Sequence, residues 1–395
     1  MPKKPKNLSS DLQGISQLSI DAVKGTTKVV ESLHSTIAQY TSILGDPKEK
    51  TTGLTGAIYK SINTVTHLIG EGINAVLNKT SQMQGDFSGK YHLSKRREAI
   101  ASAMNGVLGD HFDKGENPLA IHMSFRVNGQ TLDKNQLAEL FNNAKNTITI
   151  LIHGLCMNDL QWTREGHNHG KSLEQELGHT VVYLHYNTGL HVSENGRQLS
   201  QLLNDIKCAD HIKINILAHS MGGLVARSAC YYAQKLKYSW MDSLDRIIFL
   251  GTPHHGAILA KGGHWIDVFL EISPYSAPFA KITKVRSNGL TDLRHGYVID
   301  EDWQSNDERK IVSLPTTINC YAIATTTSDK VSSKLANGIV GDGLVSIDSA
   351  LGIHKEKSLN LYIPTENQWE GRNISHMQLL SDKNVFKTIQ NWMQT

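Results

Sequence analysis

Ser220 is the residue of this 395-residue chain whose setting most directly implies chemistry. In "KINILAHSMGGLVARSACYYAQ" the apolar run Ile214, Ile216 and Leu217 reads as a buried strand, and Leu224, Val225, Ser228, Ala229 and Tyr232 return at helical spacing. With that strand running to Ala218, only His219, Ser220, Met221 and two glycines separate the two patterns. A strand that becomes a helix within about three residues must bend sharply, and small residues must stand where strand and helix approach. Ala218 and Gly222, two before and two after the serine, meet that need. This is the sequence of a nucleophile elbow, Gly-x-Ser-x-Gly with alanine in first position, and it would hold the hydroxyl out at a strand's carboxyl end.

A nucleophilic hydroxyl needs a base, an acid to orient that base, and donors for a developing oxyanion. Four further strings stand at or just beyond the carboxyl ends of predicted strands, where open α/β sheets place their ligands. "ILIHGLCMNDLQW" ends a strand in His153-Gly154-Leu155, a loop able to turn backbone N–H groups toward the target of Ser220. The expected oxyanion donors are the N–H groups of Leu155 and Met221. "VGDGLVSIDSALG" sets Asp342 between two glycines that leave its carboxylate room to reach a histidine; Asp348, six residues on, lacks such flanks. "NISHMQLLSDKNVFKTIQNW" puts His376 after the last predicted strand, with Leu379 and Leu380 anchoring a C-terminal helix. A lone histidine among 19 says little, and that position is what singles out His376. "FLGTPHHG" (249–256) reads as a pocket-lining turn rather than a source of the base.

The elements that must position these groups alternate in type. Strands are expected at 147–153, 180–186, 213–218, 246–251, 319–327 and 359–364, a hairpin around Asn128-Gly129, and helices in most gaps and at about 94–109. That order predicts an α/β domain with a mostly parallel central sheet over residues 91–395. The stretch 256–315 is too long for an ordinary loop and carries Trp265, Ile266, Phe269 and Leu270 on one helical face, as a cap suited to an apolar acyl group would. Residues 1–90 differ in texture. Apolar or small residues recur every three or four positions from Leu12 to Leu44 and again from Leu54 to Val76, so residues 8–84 are expected to form an amphipathic helical hairpin, followed by a linker.

Composition narrows the class. A net charge of +3 points to no nucleic-acid partner, and no apolar run reaches the roughly 18 residues of a transmembrane helix. "MPKKPK" lacks the apolar stretch of a secretory signal, and the four cysteines (156, 208, 230, 320) show no Cys-x-x-Cys pair, so free thiols in a reducing cytoplasm are expected. "GHNHG" (166–170), with His179, His185 and His191, raises a metal site, but without matching acidic residues the histidines read as polar loop groups, and neither metal nor cofactor is expected. The hairpin is expected to pack on the catalytic domain or on a second copy before it lies on a lipid surface, because lysines on its polar face are few.

"HGL", "AHSMGG", "GTPHHG", "GDGLVS" and "SHMQLL", in this order, resemble the lipase and esterase branch of the α/β-hydrolase fold, and within it bacterial lipases with an Ala-x-Ser-x-Gly elbow and the PGAP1-like hydrolases. "YLHYNTGLHVSENG" and "SNGLTDLRHG" look like that group too, and the resemblance covers about 145–395. It implies a serine hydrolase of carboxylic esters working through an acyl-enzyme, with Ser220 as nucleophile, His376 as base, Asp342 as its orienter, and Leu155 and Met221 as the oxyanion hole. Acyl transfer or thioester hydrolysis would use the same groups. A non-catalytic adaptor that binds lipid or protein through the hairpin is the reading from another class, and an intact triad speaks against it.

Overall fold

The computed structural model describes residues 95–206, 211–257, 287–304, 312–329 and 341–394. The hairpin expected at 8–84 and the central part of the expected cap lie outside these residues. Helix α1 (Lys95–Lys114) leads into a hairpin of β1 (Ser124–Val127) and β2 (Gln130–Thr131), turned at Asn128 and Gly129 with φ of 51° and 77°. Two positive φ angles at an Asn-Gly pair give the tight turn that the strands' twist favours. There follow α2 (Lys134–Asn142), β3 (Thr147–Ile152), α3 (His169–Leu177), β4 (Thr180–His185), α4 (Val192–Asn204) and β5 (Lys213–His219). The chain continues through α5 (Met221–Leu236), β6 (Leu244–Leu250), α6 (Asn288–His295), β7 (Asn319–Thr326), β8 (Gln368–Arg372) and α7 (Lys383–Gln394).

The strands form one sheet in the order β2-β1-β4-β3-β5-β6-β7-β8. All pairings from β4 to β8 are parallel, and only the β1–β2 hairpin and its join to β4 are antiparallel. Helices cover both faces, which is why the central strands are continuously apolar. Within them alternate residues divide between two cores. Ile150, Ile152, Ile216, Ala218, Ile247 and Phe249 face the core shared with α1, α4 and α5. Leu151, Leu217, Ile248 and Leu250 face the one shared with α3 and α7. With the elbow after its central strand, this is the α/β-hydrolase fold.

One expected strand is displaced. Residues 359–364 pair with no strand; the eighth strand is Gln368–Arg372, which is parallel to β7. Leu361 and Ile363 are buried while Tyr362 is 93% exposed, so the segment alternates as a strand does. Its backbone is engaged elsewhere, with the Leu361 N–H on Gly352 O at 2.8 Å, and Pro364 has no N–H to give a ladder.

The sheet register brings the site together. Ile152 pairs with Ala218, and Ala218 with Phe249, so β3, β5 and β6 end at one level. Where α5 starts, there is no room for side chains. A Cβ on Gly222 would stand 2.4 Å from Ile152 O and 2.8 Å from His153 O, and one on Gly223 would stand 2.0 Å from Thr252 Oγ1. Because the atoms facing Gly222 are backbone, they cannot swing aside. Gly222→Ala is therefore expected to destabilise the fold by about 1–3 kcal/mol, the usual scale of overpacking, read as a lower urea midpoint at unchanged slope. A variant as stable as the parent would contradict this packing.

Candidate active site

Ser220 is held in a backbone conformation that serine rarely adopts, with φ 54° and ψ −124°. Such a conformation costs on the order of 1–3 kcal/mol and persists only where its surroundings determine it. Here they do. The Ser220 N–H donates to Leu250 O at 2.9 Å, and Ser220 O accepts from the Gly223 N–H at 3.0 Å, so β6 and the first turn of α5 grip the residue from both sides. The side chain is buried, and among the described residues its Oγ makes no hydrogen bond, to His376 or to any other group.

Asp342 and His376 are brought together. The His376 Nδ1–H donates to Asp342 Oδ2 at 2.6 Å, and both residues are buried. Asp342 Oδ1 accepts from the N–H groups of Leu344 and Val345 at 2.9 and 2.8 Å, so the carboxylate is fixed by three donors. The two chains are also tied through backbone, since the His376 N–H donates to Asp342 O at 2.9 Å. A ring that gives its Nδ1 proton to a carboxylate keeps Nε2 as its basic nitrogen. Gly251 (φ 56°) backs the pair: a Cβ there would lie 3.0 Å from Asp342 Oδ2 and 3.2 Å from His376 Cε1. Asp348 is exposed, on a short helical turn after the Asp342 loop, and makes no such contact.

The His153-Gly154-Leu155 loop runs beside the serine. A Cβ on Gly154 would be 3.1 Å from Ser220 Cβ. Cys156 follows with φ 59°, its N–H on Thr188 Oγ1 at 3.1 Å, and the Met157 N–H closes a turn onto Gly154 O at 3.3 Å. Leu155 and Met221 are buried next to this turn and the elbow, and among the described residues neither N–H group is engaged. "GTPHHG" lines the same end of the sheet. Its Thr252 faces Gly223, and His254 is buried edge-on to Phe249 with a nitrogen 3.4 Å from the Arg227 guanidinium.

The histidines suspected of a metal are otherwise occupied. His167 and His169 bond to each other at 2.8 Å, and His169 Nε2 donates to Leu379 O at 2.8 Å. His179 bonds Thr149 Oγ1 at 2.8 Å, and His191 bonds Asp292. His185 lies 3.6 Å from Asp159. Among the described residues no group of three His, Cys, Asp or Glu side chains could hold a metal ion. No described helix is long and apolar enough to cross a membrane. Cys156, Cys230 and Cys320 are buried free thiols, and burial pushes the Cys156 thiol up to about 12.

Sequence reasoning passed over His219, the residue before the nucleophile. It is buried, its ring lies 4.7 Å from that of His376, and its Nε2 donates to His376 O at 3.1 Å. Nothing in the local pattern marks this contact, which spans 157 residues.

Residues 122–285 match a family model described as "Domain of unknown function (DUF7379)". No curated relative matches the chain in sequence. Among solved structures, the mature lipase BlEst2 of Bacillus licheniformis is 19% identical, with 69% of this chain and 98% of that one covered and a TM-score of 0.42. EstA of Clostridium botulinum is 12% identical, covering 64% and 88%, with a TM-score of 0.41. YbtT, a type II thioesterase of the yersiniabactin NRPS/PKS pathway, is 10% identical, covering 64% and 94%, with a TM-score of 0.37.

Burial sets the protonation of the histidines around the site. It pushes His153 down to about 4 and His169 to about 3, and His219 lies well below the ordinary value for the same reason. Unfolded, these rings bind a proton near pH 6.5; folded, His169 stays neutral to about 3. Between those values the unfolded state holds more protons, so this part of the stability is whole above about pH 6.5 and is lost as pH falls. His169→Gln is expected to remove one such group. From pH 7 to 5 the parent should lose urea stability more steeply than the variant, by at most about 1.4 kcal/mol per pH unit. Equal slopes would contradict a neutral buried imidazole at this position.

Proposed function

We propose that this chain is a serine hydrolase of carboxylic esters with an apolar acyl group. The observation that carries the reading is the pairing of a strained, buried serine at the elbow with a buried Asp342–His376 hydrogen bond of 2.6 Å at the same end of the sheet. Ser220 Oγ attacks the ester carbonyl carbon while His376 Nε2 takes its proton. The negative charge that gathers on the carbonyl oxygen is held by the Leu155 and Met221 N–H groups. When the tetrahedral species collapses, the C–O bond to the alcohol breaks and His376 returns the proton to the leaving oxygen. Water then attacks the acyl-enzyme, His376 again taking a proton, and the acid departs as Ser220 recovers its own. Asp342 holds the ring in one tautomer and stabilises the imidazolium in both halves.

Ser220→Ala is expected to lower kcat on p-nitrophenyl esters by roughly 10⁴–10⁶-fold and to abolish fluorophosphonate labelling with the melting temperature little changed. Labelling that persists in this variant and is lost at another serine would remove the assignment. Asp342→Asn should cost roughly 10⁴-fold by favouring the wrong tautomer, whereas Asp348→Asn should leave kcat within about twofold. The reverse order would reassign the acid. The proposed catalytic groups all lie within 145–395, so a chain lacking residues 1–84 should still hydrolyse a short soluble ester. A truncated protein that is folded but inert would place part of the active site in the removed segment.

A further inference from the structure

The backbone of His376 is clamped on both sides of its Cα. Its N–H donates to Asp342 O at 2.9 Å, and its C=O accepts from His219 Nε2 at 3.1 Å. A carbonyl can only accept, so His219 must carry its proton on Nε2 and leave Nδ1 bare. Burial keeps this ring neutral, its ordinary titration displaced well downward. His219 Nδ1 is buried, has no hydrogen-bond partner among the described residues, and faces Gly154, whose added Cβ would lie 3.2 Å from it. The ring cannot turn over to use that nitrogen instead without giving up the carbonyl. It is also packed edge-on against Trp162 at 6.4 Å and beside the His376 ring at 4.7 Å.

We propose that His219 is a positioning residue: through its Nε2–H it fixes the backbone that carries His376, and so the placement of the His376 ring relative to Ser220. The inference rests on the serine-hydrolase reading for its catalytic consequence, but not for its geometry. His219 and Ser220 are adjacent on one rigid strand end, so the tie locks the base to the same element that presents the nucleophile. A second buried imidazole, His169, holds Leu379 O at 2.8 Å three residues further along the same turn. The turn is therefore anchored at two carbonyls, of which only the one on His219 belongs to His376 itself.

The test compares His219→Leu, which removes the donor at similar volume, with His219→Gln, whose side-chain amide can donate from nearly the place of Nε2. Two quantities are read in the full chain. One is the far-downfield proton signal of the His376–Asp342 bond, assigned by its loss or upfield move in Asp342→Asn. The other is kcat and KM on a p-nitrophenyl ester. In His219→Leu the downfield signal should disappear and kcat should fall about tenfold to a hundredfold with KM changed by less than about threefold, the scale of a misplaced catalytic group. In His219→Gln the signal should persist and kcat should return to within about fivefold of the parent. A merely structural role would lower the melting temperature in both variants and move neither the signal nor the kcat-to-KM split. A Leu variant that keeps both signal and kcat would overturn the proposal, as would a Gln variant that loses as much as Leu at equal melting temperature. Should His219→Leu not fold, His219→Asn, whose amide is too short to span to the carbonyl, takes its place and is expected to behave as Leu. If the signal depends on His219 while the parent hydrolyses no ester, the positioning stands and the functional reading falls.

Discussion

The turn at Ser220 is the constraint around which the rest of the sheet is arranged. A positive φ at a residue with a Cβ must be imposed from outside, and here β6 supplies the acceptor for the Ser220 N–H. That acceptor is in place only because β5 and β6 are in one register, Ala218 opposite Phe249. A slip by one residue would turn every side chain to the other face and exchange the two cores. The apolar alternation of Ile216, Leu217, Ile248 and Phe249 thus fixes the register, the register fixes the strained peptide, and the strained peptide presents the hydroxyl. Gly154, Gly222, Gly223 and Gly251 surround this point because backbone and side-chain atoms from neighbouring segments already fill the places where their side chains would stand.

The proposed base stands on a different kind of support. His376 belongs to no helix or strand, and its position depends on hydrogen bonds from groups distant in sequence. Ile374 N–H donates to Thr326 O at 3.1 Å at the end of β7, His376 N–H to Asp342 O, and the buried imidazoles of His219 and His169 hold the carbonyls of His376 and Leu379. A neutral imidazole suits this work. A lysine or arginine in the same place would bring an uncompensated buried charge, whereas a histidine gives up its charge on burial and still donates. The low titration of these rings follows from their burial.

How much of this was legible in the sequence divides by range. The elbow and the Asn128-Gly129 turn rest on local patterns of a few residues and were readable for that reason, and the candidate acid and base, Asp342 between glycines and His376 after the last strand, were singled out by patterns of the same kind. The placement of the last strand was not. Residues 359–364 and Gln368–Arg372 lie side by side in sequence, and the first has the better strand composition. What selects the second is its pairing with β7, Gln368 opposite Ala322, while the Leu361 N–H of the first is already held by Gly352 O and a proline closes that segment. His169 and His219 were illegible for the same cause, since each acts on a carbonyl 210 or 157 residues away. Periodicity reports which face a residue takes, not which atom it meets.

Helix α1 packs against the loop that follows β3. A Cβ on Gly106 would fall 2.2 Å from Cys156 Sγ, and Asn158 Nδ2 donates to Ser102 Oγ at 3.3 Å. The Arg126 guanidinium bridges Glu98 of the helix and Asp159 beyond the loop, at 3.0 and 3.1 Å. The loop that bears Leu155 is therefore held between Ser220 at Gly154 and α1 at Cys156. A loop gripped on one side only could turn its N–H groups away from the elbow; gripped on both, it keeps them in place, as the proposed stabilisation of a developing charge by fixed dipoles requires. Helix α1 thus supports by its packing the loop that bears the proposed oxyanion donor Leu155, although it lies behind that loop.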